Sequence, residues 1–263
     1  MPGTFLQVVK DKLMKREEIR CGSGEKIIQG SVYIPEGEGP FPLVIISHGL
    51  GGSHLETAPY ARRLADCGYA ACVFDFWGGT AGNGKSGGRT TEMSVLTEAD
   101  DLAAVLSGSE HWTFADQSRV YLMGESQGAV VSLLSAAGQP SRFAGLIFLY
   151  PAFSLVEEAH HQCGAKDYIP REFAVFHGWI HLGRKYILDL WDLDMEAAMA
   201  AFSGPVLLLH GDKDEVIGIS GSEKAAGKFS DCEFYKLTGA GHGFPGAYFE
   251  KAMARILSFL EKQ

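Results

Sequence analysis

The chain has 263 residues, 46% hydrophobic and 21% charged, with a formal net charge of −9 at pH 7, values that suit one globular α/β domain with a substantial core. The negative balance, with no block of like charges, argues against a nucleic-acid surface. Five scattered cysteines without a Cys-x-x-Cys pair point to reduced thiols and a cytoplasmic setting.

Met1 to Arg20 intersperses charges among its apolar residues and shows no secretory h-region. No run approaches the ~18 apolar residues of a membrane span. Residues 16–35 predict two strands about a turn at Gly22-Ser23-Gly24, the second running from Lys26 to Ile34. Leu43-Val44-Ile45-Ile46 is a continuous apolar run, the mark of a strand buried on both faces. It ends in the glycine-rich corner Ser47-His48-Gly49-Leu50-Gly51-Gly52.

Ala58 to Cys67 predicts a helix and Ala70 to Phe76 a strand. The stretch from Trp77 to Arg89 holds six glycines and is expected to be a mobile loop. Ser94 to Leu106 has helical spacing, with Asp100 and Asp101 on a solvated face. Arg119 to Leu122 is a strand running into Gly124-Glu125-Ser126-Gln127-Gly128 and a helix from Gln127 to about Ala137. Gly145 to Tyr150, Val206 to Leu209 and Glu233 to Leu237 are further strands, and Ala247 to Leu260 is the last helix. Alternating apolar strands and helices imply an α/β fold with a mostly parallel sheet covered on both faces, edged by the antiparallel N-terminal hairpin. Residues 1–263 read as one domain. About 152–203 lacks a clear buried strand, a length expected of an insertion such as a lid.

Strand, Gly-x-Ser-x-Gly and helix are the context in which a serine stands clear of a sheet as a nucleophile. A serine hydroxyl needs a histidine to take its proton and a carboxylate to orient that histidine. After Ser126, the chain supplies His210-Gly211-Asp212-Lys213-Asp214 beyond one strand and Gly241-His242-Gly243 beyond the next. Both lie at strand C-termini, where open α/β sheets place their sites. Asp214, further into its turn, is the favoured acid; Asp212 competes and could instead brace the turn. His242 is preferred as base over His48, His160 and His210. The backbone N–H groups of Gln127 and Leu50 are placed to bind an oxyanion.

Taken together, the pattern resembles the α/β-hydrolase superfamily, and within it the cinnamoyl (feruloyl) esterase-like group. The matching residues include His48-Gly49, Phe74-Asp75-Phe76, Met93 to Glu98, Gly124 to Gly128, Tyr150-Pro151-Ala152, His210-Gly211 and Gly241-His242. The resemblance implies that the insertion is a lid whose acid, amide and tyrosine contact a phenolic acyl group. These roles fall on Glu158, Gln162 and Tyr186. This chain carries Glu158 where that group usually has Asp, Glu125 where it often has His, and Leu50 where it often has Phe.

The expected function is a serine carboxylic-ester hydrolase acting through an acyl-enzyme, with hydroxycinnamoyl esters as a candidate substrate class. The alternatives are a thioesterase or other acyl hydrolase on the same triad, and a non-catalytic ligand-binding member of the fold. No metal or other cofactor is called for: His160, His161 and Cys163 match no zinc spacing, and His177 and His181 lack the glutamate of a zinc-hydrolase helix. Gly82-Asn83-Gly84-Lys85-Ser86 lacks the full phosphate-loop spacing. Phe176, Trp179, Tyr186 and Trp191 fit either an aromatic acyl pocket or the insertion's own core. The expected partner is a small-molecule ester, with no nucleic acid and no membrane; a homodimer is compatible with the sequence.

Overall fold

The computed structural model describes residues 14–82 and 84–263. The expectation of no secretory leader therefore lies largely outside the described residues, as does Asn83 of the glycine-rich loop.

Eight strands form one sheet in the order β1-β2-β4-β3-β5-β6-β9-β10. These are β1 (Lys15–Ser23), β2 (Lys26–Ile34), β3 (Phe41–Ser47), β4 (Ala70–Asp75), β5 (Ala115–Glu125), β6 (Gly145–Leu149), β9 (Val206–Gly211) and β10 (Cys232–Leu237). The N-terminal hairpin joins antiparallel through β2 and β4, and the six strands from β4 to β10 are parallel. In β3 the pleat sends Leu43 and Ile45 into one core and Val44 and Ile46 into the other. That is why the run reads as continuously apolar.

Against one face pack α2 (Val95–Ser109) and α3 (Gln127–Gly138); against the other, α1 (His54–Asp66) and α8 (Ala247–Leu260). Helix α1 starts four residues earlier than the apolar spacing suggested. The Ser53 hydroxyl accepts from the Leu55 N–H and caps it, and Pro59 sits within its early turns. Strand β5 likewise starts earlier, at Ala115, where its pairing with β3 shifts register between Pro42 and Leu43. Among the described residues, no helix is long and apolar enough to cross a membrane.

Between β6 and β9 the chain leaves the sheet. It forms α4 (Leu155–Cys163), the antiparallel pair β7 (Glu172–Val175) and β8 (Ile180–Gly183), α5 (Arg184–Trp191) and α6 (Met195–Ala201). The remaining helix, α7 (Ser220–Ala226), links β9 to β10. The root of the insertion is fixed to the body. Thr90 Oγ1 donates to His181 O and Ser94 Oγ to Asp189 Oδ2, each at 2.5 Å. A Cβ at Gly183 would run into the Thr91 carbonyl, so only glycine permits this approach. The tip is exposed: Phe176 and Trp179 are 45% and 60% accessible.

On both sides of Asn83, the glycine-rich stretch after β4, expected as a mobile loop, is hydrogen-bonded to the body. Asp75, fully buried, accepts from the Lys85 N–H at 2.5 Å and from His54 Nδ1 and N–H at 2.9 and 2.6 Å. Ser86 Oγ donates to Asp75 O and accepts from the Gln29 N–H. Asp101 is buried rather than on a solvated face, and accepts from the Trp77 N–H at 2.8 Å.

Candidate active site

Five loops, those after β3, β5, β6, β9 and β10, leave the carboxyl edge of the parallel strands and meet over one cavity of about 740 Å³. One follows β5. Ser126 takes φ 51° and ψ −118°, left-handed backbone that a non-glycine residue occupies only when its surroundings enforce it. The enforcement is visible: the Ser126 N–H donates to Leu149 O at 2.9 Å, and its carbonyl accepts from Ala129 and Ala152. A Cβ at Gly124 would collide with the Gly128 carbonyl and Ala129, and one at Gly128 with the Ser47 and His48 carbonyls. Both glycines of the motif are thus fixed by close backbone approach.

Beyond β9, Asp214 is held on every side. Its side chain has 0% exposure. Oδ1 accepts from the Val216 and Ile217 N–H groups, each at 2.9 Å, and Oδ2 meets His242 Nδ1 at 2.8 Å. A His242 ring whose Nδ1–H donates to this carboxylate keeps Nε2 free to take a proton, as a general base requires. Asp212 instead accepts from the Gly239 N–H at 2.6 Å and ties the two turns together, the bracing role that competed in the sequence.

His210, set aside as a base in the sequence, lies beside the acid. It is buried, its Nε2 lies 3.2 Å from Asp214 Oδ2 and 3.0 Å from Ile217 O, and Nδ1 meets Ser222 Oγ at 2.6 Å. Burial pushes its pKa down, so the neutral ring is the form that sits beside the carboxylate. The signal was present as a histidine four residues before the acid, at the end of a buried strand.

His242 and Ser126 both line the cavity, as does Leu50 on the loop after β3. That loop is tightly set: Gly51 N–H donates to Gly79 O at 3.0 Å, and the buried His48 ring spans Gly49 O and the Phe76 N–H. Gln127 opens α3, so its amide has no carbonyl of its own helix to bond. Tyr150, also at positive φ, packs its ring 4.7 Å from that of His242 and 4.9 Å from that of Phe244.

The remaining wall is apolar and acidic. Leu50, Phe176, Trp179 and Phe249 supply the first property; Glu56 and Glu125 supply the second. Burial raises the Glu125 pKa to about 7, against a hydrogen bond from Tyr150 and with help from the Glu56 charge. Burial also raises Glu56. Neither Lys nor Arg lines the cavity among the described residues.

The three residues expected to contact a phenolic acyl group do not line this cavity. Tyr186 is buried, and its hydroxyl donates to Gln127 Oε1 at 2.6 Å. Glu158 accepts from Ser154 Oγ at 2.5 Å, and Gln162 is exposed on α4. Of the aromatic residues weighed alongside them, Phe176 and Trp179 reach the cavity, while Trp191 packs on His160 with ring centroids 4.3 Å apart.

Comparison with known proteins agrees with this architecture. The family model described as Serine aminopeptidase, S33 (Hydrolase_4) matches residues 38–183. An uncharacterized 31.7 kDa protein from Escherichia coli is 30% identical over 110 residues, which is 41% of this chain and 37% of that protein's length. Esterase EstD from Thermotoga maritima is 23% identical over 265 residues, covering 85% of this chain and 61% of EstD. In three dimensions, Est1E from Butyrivibrio proteoclasticus with ferulic acid bound superposes with a TM-score of 0.82. It has 23% identity, over 92% of this chain and 99% of that one. With a family model matching more than half its length and the sheet order and serine corner described above, the chain belongs to the Hydrolase_4 family of α/β-hydrolases.

Proposed function

We propose that the protein is a serine carboxylic-ester hydrolase in which Ser126, His242 and Asp214 form the catalytic triad. The observation that carries this reading is the 2.8 Å contact between a fully buried Asp214 and His242 Nδ1, on the cavity that also exposes Ser126. His242 Nε2 takes the hydroxyl proton as Ser126 Oγ attacks the ester carbonyl carbon. The carbonyl oxygen becomes an oxyanion facing the Leu50 and Gln127 amides. Collapse breaks the bond to the alcohol, which leaves with the proton from His242. Water then attacks the acyl-enzyme with the same proton relay, releasing the acid and restoring Ser126.

The cavity wall narrows the substrate. Among the described residues the wall carries two acidic side chains and no Lys or Arg, which offers nothing to bind an anionic acyl or alcohol group and disfavours phosphate-bearing thioesters. The apolar side chains and volume suit a neutral, aromatic ester, and the ferulic acid held by Est1E supports a hydroxycinnamoyl acyl group here. In this reading the insertion acts as a lid, with α5 as its fixed root and Phe176 and Trp179 over the cavity. The partner is a small-molecule ester, and five scattered cysteines without a Cys-x-x-Cys pair fit a cytoplasmic setting.

Kinetics with methyl ferulate and methyl p-coumarate beside p-nitrophenyl acetate and butyrate test the substrate class. A higher kcat/KM on the hydroxycinnamates is expected. Equal or lower values would remove the hydroxycinnamoyl assignment and leave the ester hydrolase.

A further inference from the structure

Gln127 occupies an unusual place. Its backbone amide faces the reacting carbonyl in the mechanism above, yet its side chain is buried and turned away from the cavity. Both ends of that side chain are claimed by other elements. Nε2 donates to Glu98 Oε2 on α2 at 2.7 Å, and Oε1 accepts from the Tyr186 hydroxyl on α5 at 2.6 Å. A hydrogen-bonded chain therefore runs from the insertion, through the first residue of α3, to the body of the protein.

Glu98 also packs against Gly79, on the loop after β4. Its Oε1 and the Phe76 Cβ fill the space a side chain at Gly79 would need, 2.7 and 2.6 Å from the Cβ position. The Gly79 carbonyl in turn holds the Gly51 N–H at 3.0 Å, next to Leu50. One buried carboxyl thus bonds the Gln127 side chain and packs against Gly79, whose carbonyl holds the residue after Leu50. Burial pushes this carboxyl well above the usual range, so its neutral form is the one in place. The Tyr186 ring sits with 4% exposure, and α5 is anchored by the Ser94–Asp189 bond.

We propose that Tyr186 and Glu98 are positioning residues that clamp the Gln127 side chain and so fix its amide in the oxyanion site, coupling the insertion to catalysis. The proposal rests on the acyl-enzyme reading and replaces the substrate contact expected of Tyr186. Acylation and deacylation both pass through an oxyanion, so a slackened amide slows both. Loss of an oxyanion donor costs about 10²–10³ in kcat; a displaced one costs less, on the order of 10-fold.

The test uses the full chain and its Tyr186→Phe, Glu98→Gln and Glu98→Leu variants, on p-nitrophenyl acetate and methyl ferulate. Active sites are titrated with a fluorophosphonate so that kcat refers to folded, reactive enzyme. Tyr186→Phe is expected to lower kcat on both esters by a similar factor, ~10-fold, with KM nearly unchanged. Glu98→Leu should behave the same way, whereas Glu98→Gln, which keeps an acceptor for Gln127 Nε2 and stays neutral, should retain most of the rate. A Tyr186→Phe effect confined to KM on methyl ferulate would make the hydroxyl a substrate contact and overturn the proposal. Unchanged kcat on both esters would also overturn it. Absence of turnover and labelling in the unmutated protein would instead strike the acyl-enzyme reading itself.

Discussion

Glu125 ends β5 immediately before Ser126, only 7% exposed, and Glu125→Gln isolates what its charge costs. Its pKa stands at about 7 against an ordinary 4.5, because burial withholds water from the carboxylate and Glu56 repels it. A carboxyl whose folded pKa is raised binds its proton more tightly in the native state. Its stabilising contribution is therefore complete below pH 4.5 and is lost as pH rises towards 7. Each pKa unit is worth about 1.4 kcal/mol, so the full shift sets a ceiling on the order of 3 kcal/mol, lowered by water entering the cavity. Glutamine has the same shape and no charge to desolvate. The Tm of Glu125→Gln should match that of the unmutated protein at pH 4.5 and exceed it at pH 7.5. A chain of this size gains roughly 2–4 °C per kcal/mol, so the gap approaches ~6–12 °C at most. Buried Glu98 and Asp101, also raised, are present in both proteins and cancel in the difference. Calorimetric melts at pH 4.5, 6 and 7.5 measure it, and parallel Tm curves across that range would refute the reasoning.

Two further substitutions probe the machinery. Asp214→Asn should cut kcat by about 10⁴, because an amide cannot hold His242 in the productive tautomer. Asp212→Asn, which touches only the Gly239 turn, should cost far less on the same assay. The reverse order would move the acid to Asp212. Gly128→Ala drives a Cβ against the Ser47 and His48 carbonyls, backbone atoms that cannot step aside. It should cost on the order of 3 kcal/mol or prevent folding, seen as a lowered urea midpoint or loss of soluble protein.

What could be read from the sequence followed from how local each signal was. The strands of the parallel sheet announce themselves because both faces are buried, so Leu43 to Ile46 needs no partner to be recognised. In the Gly-x-Ser-x-Gly corner Gly124 answers to Gly128 and Ala129, four and five residues on, while Gly128 answers to Ser47 and His48 at the end of the adjoining strand. The glycine-rich stretch misled because glycines signal freedom, while its restraints come from Asp75 at the end of β4 and from Gln29 and Asp101 farther off in the chain. Tyr186 misled for a related reason. Nothing in its neighbourhood reveals that the hydroxyl meets Gln127, 59 positions away, rather than the cavity. His210 was legible in principle, since a histidine and an aspartate four apart across a strand end can converge, but only the turn shows that they do.

The central claim is that Ser126 is a nucleophile activated by His242. Incubation with a fluorophosphonate, followed by mass mapping of the adduct, tests it most directly. The account predicts one stoichiometric label on Ser126 and hydrolysis of p-nitrophenyl acetate, with both lost in Ser126→Ala while the melting curve is kept. Turnover retained in Ser126→Ala, or a label on another residue, would contradict it.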